Sequence, residues 1–219
     1  ELIDNWDDLI QKDEKQQQEQ NDQDVPPDVD PAQKPPVAVD DELGARPGRS
    51  SVLPVLLNDY DPNGDVLVID SFDQLDPALG RVDLINRDQE LQITLPETAS
   101  GQISFGYTIS DGRGGTATAT VHLAVRTPAE NSPPQQVRTT RTTVEQGGRI
   151  STQVIGDWID PDGDPFYLTA AASTTGDLVT YTPDGVVTFA DSGQGTSAKD
   201  VAIAVSDGRA AGGGSLSVT

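Results

Sequence analysis

Two short loops in which aspartates alternate with proline, asparagine and glycine carry most of the chemistry in this sequence. The first loop is Asp61-Pro-Asn-Gly-Asp65 and the second is Asp160-Pro-Asp-Gly-Asp164. Calcium takes about six to eight oxygen ligands from carboxylates, carbonyls and water. Glycine allows the tight bend that wraps such oxygens around one ion, and proline favours the start of the turn. Each loop therefore predicts a cation site.

Further acidic residues extend each candidate calcium site beyond the loop itself. The candidate ligands of the first site are Asp59, Asp61, Asn63, Asp65 and Asp111. The candidate ligands of the second site are Asp157, Asp160, Asp162, Asp164 and Asp207. We favour the first site, because Ile159 is inserted between Asp157 and Asp160 in the second. A hydrogen-bonded turn is the alternative in both loops, since Asp-Pro-x-Gly is also a good turn sequence.

Other residues near the loops also have two interpretations. Asp111-Gly112 and Asp207-Gly208 each lie between two alternating segments, which indicates a hairpin turn first and a metal-ligand role second. The aromatic residues Tyr60 and Trp158 stand beside the two acidic loops. Their rings either pack against the protein or stay exposed and stack on a sugar.

Composition excludes several classes of function. The formal charge of −22 and the pI near 4.1 predict repulsion from nucleic acids and from anionic membranes. The absence of cysteine excludes disulfides, thiolate metal sites and thiol nucleophiles. His122 is the only histidine, and no G-x-S-x-G motif accompanies it, so we do not expect an enzyme.

Period-two alternation indicates an all-β fold. Residues 102–110 and 116–125 place apolar side chains on one face of each segment, as in an antiparallel sandwich with one wet side. Shorter segments, Val37 to Val39, Val52 to Leu57 and Val66 to Ile69 among them, bring the count to about seven strands. Seven short strands predict an immunoglobulin-like sandwich.

The same pattern occurs twice along the chain. The two Pro-Pro pairs, the two acidic loops and the two Ser-Asp-Gly-Arg motifs recur in the same order. We therefore predict two tandem sandwiches, at residues 35–127 and 132–219. Ala170 to Ala172 and Gly212 to Gly214 make the second copy less regular, so we expect it to be less stable and read the glycines as a loop.

The N-terminal residues 1–34 have a different character. Leu2, Ile3, Trp6, Leu9 and Ile10 fall at helical spacing, which predicts a short helix over residues 2–12. Such a helix would dock on a neighbour through Trp6. The polar and proline-rich residues that follow favour an extended, acidic linker.

The motifs carry a family resemblance. Residues 58–68, together with Phe105-Gly-Tyr-Thr-Ile-Ser-Asp-Gly-Arg113, resemble the bacterial cadherin-like and immunoglobulin-like repeats. Those repeats form tandem arrays in large secreted and surface proteins, and some bind calcium near a domain junction. The resemblance implies a non-catalytic spacer or adhesive segment outside the cell that contacts neighbouring repeats. A glycan- or protein-binding module and an enzyme accessory remain alternatives.

Overall fold

The computed structural model describes residues 32–194 and 198–219, and Lys34–Thr219 form one compact unit. The N-terminal linker up to residue 31, the helix predicted over 2–12 and docking through Trp6 lie outside the described residues. Helical structure within the described ranges is limited to two three-residue 3-10 turns. None of the described helices is long and apolar enough to cross a membrane.

Seven strands form the first sandwich, as the alternation predicts. One sheet has the strand order β1-β7-β6-β3 and the other has the order β2-β5-β4. All neighbours are antiparallel except β1, which pairs with β7 in parallel at one edge. The strands are β1 Asp41–Ala45, β2 Ser50–Leu53, β3 Val68–Phe72, β4 Arg81–Ile85, β5 Glu90–Thr94, β6 Gly101–Ser110 and β7 Thr116–Val125.

Two of the shorter predicted strands differ from the observed ones. Val37 makes only an isolated bridge to Tyr60, and the first true strand begins at Asp41. The predicted strand from Val52 to Leu57 ends at Leu53, and a 3-10 turn follows at Val55–Leu57. Pro54 separates the two, since it has no backbone N–H to continue the ladder.

Nine strands form the second sandwich. Its main sheet has the order β12-β15-β16-β9, the opposing sheet has the order β10-β14-β13, and β8 and β11 form a small ladder. Its edge strand β9 again pairs in parallel, with β16. The strands are β8 Gln135–Gln136, β9 Thr140–Thr142, β10 Arg149–Gln153, β11 Trp158–Ile159, β12 Tyr167–Ser173, β13 Leu178–Tyr181, β14 Val186–Ala190, β15 Lys199–Ser206 and β16 Ala211–Val218.

Each sandwich encloses its own core of inward-facing side chains. Phe105, Tyr107 and Ile109 of β6 lie in the first core, and Val201, Ile203 and Val205 of β15 lie in the second. The prediction of two tandem all-β sandwiches is therefore confirmed.

A buried ion-pair group ties the two sheets of the second sandwich together. Nζ of Lys199 lies 2.8 Å from Oδ1 of Asp177 and also contacts the carboxylate of Asp191. The hydrogen bond from Lys199 lowers the pKa of Asp177, and the same pairing raises the pKa of Lys199. Burial of the lysine is possible because both carboxylates neutralise it.

The glycine run at Gly212 to Gly214 forms part of strand β16, so its interpretation as a loop is wrong. A Cβ on Gly212 would lie 1.8 Å from the carbonyl oxygen of Pro134. A Cβ on Gly214 would lie 2.4 Å from Oε1 of Gln136 and 2.6 Å from Cζ2 of Trp158. Gln136 also bonds the backbone of Ser215 through both amide atoms. The glycines thus allow β8 and the Trp158 ring to cover the strand.

Because β8 and the Trp158 ring cover Gly214 but not Gly213, we predict different effects on stability when each glycine is replaced by alanine. We expect Gly214→Ala to lower the unfolding free energy by about 1–3 kcal/mol, because its Cβ overpacks the Trp158 ring. Gly213→Ala is the matched control, since no atom lies within 4 Å of its Cβ position. Urea unfolding of both variants tests this. Equal effects of the two substitutions would contradict the packing explanation.

Candidate functional site

Both acidic loops adopt the same hydrogen-bonded turn. In the second loop, Oδ1 of Asp160 accepts from the backbone N–H of Asp162 at 2.9 Å and of Asp164 at 3.1 Å. In the first loop, Oδ1 of Asp61 accepts from Asn63 at 2.7 Å and from Asp65 at 3.1 Å. The turn interpretation is thus correct for the backbone of both loops. It leaves the remaining carboxylate oxygens available for other partners.

The second loop brings three carboxylates together. Asp160, Asp162 and Asp164 place one oxygen each within 4.8 Å of one another, the only such acidic group in the described parts of the chain. Asp160 is 6% exposed, and its Oδ2 has no hydrogen-bond partner. Burial raises the pKa of Asp160. The three side chains could hold a metal ion, with oxygen donors of the kind that calcium prefers.

Arginines from the first sandwich approach the same carboxylates. Arg46 follows β1, and its Nη2 lies 2.6 Å from Oδ2 of Asp164 while its Nε donates to Oδ1 at 3.3 Å. Arg49 also bonds Asp164. The hydrogen bond from Arg46 lowers the pKa of Asp164, and the hydrogen bond to Asp164 raises the pKa of Arg46. Bidentate pairing of this kind fixes orientation as well as charge.

Arginines of the first sandwich lie farther from Asp162 than from Asp164. Its Oδ2 lies 3.7 Å from Nη2 of Arg46, and its Oδ1 lies 3.5 Å from Nε of Arg126. The backbone N–H of Ser132 donates to Oδ2 at 2.5 Å. We call Arg46, Arg49 and Arg126, together with the three aspartates, the arginine clamp.

The backbones also meet closely at this junction. A Cβ on Gly44 would lie 2.0 Å from the carbonyl oxygen of Pro161, and a Cβ on Gly163 would lie 2.4 Å from that of Gly44. Ile159 packs against the core of the first sandwich. Two glycines in contact therefore let the second loop sit directly on strand β1.

The connecting segment is hydrogen-bonded to both sandwiches. Arg46 donates to the carbonyl oxygen of Thr127, and Arg126 N–H donates to that of Ala45 at 2.9 Å. Asn131 donates to Oδ2 of Asp207 at 2.8 Å. The segment is thus part of the junction rather than a free tether.

The structure does not assemble the first predicted site in the same way. Asp65 is paired with Arg113, whose Nε lies 2.7 Å from Oδ1 of Asp65. Asp111 accepts from the backbone of Arg113 and Gly115, as a hairpin turn requires. The grouped carboxylates therefore lie in the second loop, not in the first loop that the sequence favours. The physical reason is that Asn63 stands where the second loop has Asp162, which leaves only two carboxylates in the five residues of the first loop.

Two further predicted ligands, Asp157 and Asp207, have other partners. Asp157 bonds Thr140 and Arg138, and Asp207 accepts from the N–H groups of Arg209 and Ala210 at 2.6 Å each. Both of these side chains hold strand ends or turns. They are not members of the three-carboxylate group.

Asp59 belongs to a buried polar group beneath the first loop. It accepts from the N–H of Val39 at 2.7 Å and from the hydroxyl of Tyr107 at 3.2 Å. Asp41 lies beside the same hydroxyl, is 6% exposed and has a partnerless Oδ2. Burial raises the pKa of Asp41 to about 7, helped by the charge of Asp59 and opposed by the hydrogen bond from Tyr107.

The two aromatic candidates, Trp158 and Tyr60, differ in solvent exposure. Trp158 is 2% exposed and lies in the second core, so its ring packs against the protein, which is the first of its two interpretations. Its ring is covered because β16 presents glycines to it. Tyr60 is 56% exposed, and a ligand role for it stays a prediction.

The family model described as a bacterial Ig domain matches residues 33–124 and again residues 131–219. The chain belongs to the bacterial Ig domain family. No curated protein matches it.

Solved structures that match this bacterial Ig pair do so at low sequence identity. An endo-fucoidan hydrolase of glycoside hydrolase family 107 matches at 15% identity over 87% of this chain and 35% of its own, with TM-score 0.34. The N-terminal Ig1-2 module of the Drosophila receptor tyrosine phosphatase DLAR matches at 11% identity over 84% and 98%, with TM-score 0.31. The human desmocollin-1 ectodomain matches at 13% identity over 84% and 36%, with TM-score 0.30. The chain spans about a third of the hydrolase chains that it matches.

The buried Asp41 predicts a pH dependence of the first Ig domain. Because its folded pKa is raised from 3.8 to about 7, its contribution is fully present below pH 3.8 and is lost as pH rises through 7. We expect the first domain to be more stable at pH 5 than at pH 8. Asp41→Asn should remove this dependence and stabilise the domain at pH 8 by about 1–3 kcal/mol.

Hydrogen exchange of the Tyr107 amide in β6 measures this stability at both pH values. Asp70→Asn is the control, because Asp70 is exposed on β3. A wild-type exchange free energy that is equal at pH 5 and pH 8 would refute the assignment of Asp41 as a buried, protonated carboxyl.

Proposed function

We propose that the two Ig domains form a stiff, non-catalytic spacer segment of a larger extracellular or cell-surface protein. The observation that carries this proposal is the arginine clamp, which joins the domains through buried, paired charges. Membership of the bacterial Ig family supports a structural or interaction role. The strongly acidic composition suits an exposed protein that stays soluble.

Stiffness follows from the burial of the clamp. Arg46 and Asp162 are 6% and 1% exposed, so opening the junction would separate paired charges or rehydrate them. A single exposed ion pair contributes little to stability, whereas breaking a buried, hydrogen-bonded pair is costly. The packed linker adds bonds from Arg46 and Asn131 that a flexible hinge would lack.

Calcium is a second stiffening agent, and it would act at the same loop. Asp160, Asp162 and Asp164 would hold it, and the partnerless Oδ2 of Asp160 supports this proposal. A bound divalent cation would neutralise carboxylates that otherwise repel one another. The guanidinium groups of Arg46 and Arg49 share Asp164, so arginine and calcium compete for the same oxygens.

Removing the central arginine tests the spacer proposal. We expect Arg46→Ala to broaden the distribution of distances between one spin label on each domain, because Asp164 loses its bidentate partner. Pulsed electron spin resonance measures that distribution. Arg81→Ala is the control, since Arg81 pairs with Asp83 on its own strand. A distribution as narrow in Arg46→Ala as in the unchanged chain would refute the clamp.

Calcium addition tests the second agent. We expect millimolar calcium to raise the melting temperature of the chain relative to chelator. In Arg46→Ala, calcium should also narrow the distribution of distances between the two spin labels. Asp160→Asn should abolish both effects, because it removes the carboxylate that no arginine bonds. Identical melting curves with calcium and with chelator would exclude a stabilising calcium site.

A further inference from the structure

We propose that Asp41, Asn58 and Asp59 form a binding site for one divalent cation inside the first Ig domain. The site lies beneath the first acidic loop and shares no residue with the three carboxylates of the second loop. It does not depend on the arginine clamp, because all of its residues belong to the first domain. Buried oxygens without partners, an excess of acceptors over hydrogens and a comparison with the second domain support it.

Two side-chain oxygens of this group are buried and have no hydrogen-bond partner, namely Oδ2 of Asp41 and Oδ1 of Asn58. Asp41 and Asp59 are 6% and 7% exposed, so both carboxylates are almost removed from water. Burial of an unpaired carboxylate is costly, and a second carboxylate beside it adds repulsion. Within the described part of the chain, no lysine or arginine forms an ion pair with either of them.

The Tyr107 hydroxyl brings a single hydrogen to several acceptors. Four oxygens lie 3.2–3.4 Å from it, namely both carboxylate oxygens of Asp59 and the carbonyl oxygens of Val39 and Val55. The hydroxyl can donate to only one of them at a time. The N–H of Val39 adds one donor, 2.7 Å from Oδ1 of Asp59. The group therefore has more acceptor oxygens than hydrogens, which is an arrangement that favours a cation.

In the second domain, an arginine neutralises the corresponding aspartate. Asp157 precedes the second acidic loop as Asp59 precedes the first. Nε of Arg138 lies 2.8 Å from Oδ1 of Asp157, and the hydroxyl of Thr140 donates to Oδ2 of the same carboxylate. Thr140 begins β9 as Asp41 begins β1, and each of these strands pairs in parallel with the last strand of its domain. An arginine and a hydroxyl thus satisfy the buried aspartate of the second domain.

The first domain has neither of these partners at the same positions. Val39 stands two residues before Asp41, as Arg138 stands two residues before Thr140. The second domain therefore has one carboxylate and one guanidinium in this place, whereas the first domain has two carboxylates and no guanidinium. A divalent cation would supply the two positive charges that balance both carboxylates.

Calcium fits this group better than magnesium does. Calcium accepts carboxylate, amide and carbonyl oxygens in a variable geometry, whereas magnesium usually keeps several of its waters. The buried oxygens of Asp41 and Asn58 leave little space for such waters. When no cation is bound, a proton on Asp41 relieves the repulsion, so calcium and this proton are alternatives.

Terbium luminescence tests this site, because Tb³⁺ replaces Ca²⁺ and gains luminescence from a nearby tyrosine ring. All variants carry Asp160→Asn, which removes the candidate calcium site of the second domain. At pH 8 we expect Tyr107 to sensitise bound terbium and calcium to displace it. Asp41→Asn should weaken terbium binding by about tenfold or more, because it removes one charged ligand. Asp70→Asn is the control, since Asp70 is exposed on β3.

Two results would overturn the inference. One is the absence of luminescence that calcium displaces, and the other is terbium binding of equal strength in Asp41→Asn and in the control. The melting temperature of the whole chain is not a suitable measurement for this site. We expect the second domain to unfold first, so a cation inside the first domain needs a probe of its own.

A further variant supplies the missing arginine from within the chain. Val39→Arg gives the first domain the side chain that the second domain has at Arg138, and Val39 is 41% exposed, so the longer side chain has room. We expect Val39→Arg to abolish terbium binding, because its guanidinium pairs with Asp59. Val52→Arg is the matched control, since Val52 is 50% exposed on β2. Terbium binding as strong in Val39→Arg as in Val52→Arg would contradict the proposed site.

Discussion

The bidentate pair between Arg46 and Asp164 is the interaction on which the relation of the two domains depends. The Arg46 guanidinium reaches the acidic loop of the second domain and the carbonyl oxygen of Thr127 in the linker at once. Arg46 is almost fully buried, so its charge must be satisfied there or the junction must open. Loop, linker and the end of β1 are consequently fixed together by one planar group with several donors.

Close backbone approach is the second requirement, and glycine supplies it at two unrelated places. At the junction, Gly44 and Gly163 remove the side chains that would separate β1 from the acidic loop. In the second core, Gly212 and Gly214 do the same for the β8 segment and the Trp158 ring. In both places glycine weakens the strand, and the packing of the group that covers it offsets this loss of stability. A glycine run in a β domain therefore indicates a covered strand as readily as a loop.

Sequence reasoning reached the fold because the fold is encoded locally. Alternation in β6 and β7 and the repeated anchors predicted two sandwiches, and the Asp-Pro-x-Gly pattern predicted both turns. The junction escaped prediction, because Arg46 and Asp164 are far apart in sequence and no periodicity connects them. The sequence analysis assigned calcium to the acidic loops, because an arginine that pairs with a distant aspartate leaves no recognisable sequence motif. The available signal was the rarity of basic residues. Two of the 14 lysines and arginines are Arg46 and Arg49, in the turn between β1 and β2, whereas the corresponding turn between β9 and β10 carries Glu145 and Gly148.

Because of that difference, the two ends of the domain pair carry different charges. The first domain has an acidic tip at Asp61–Asp65 and an arginine-bearing base at Arg46, whereas the second domain keeps the tip and has Glu145 at the corresponding base. In a chain with a net charge of −22, acidic surfaces repel one another unless a cation or an arginine lies between them. An acidic tip can therefore dock on a base only where an arginine or a bound cation lies between them. Glu145 gives the base of the second domain the same sign of charge as an acidic tip, so the choice of neighbour depends on a few residues rather than on the fold that the two domains share.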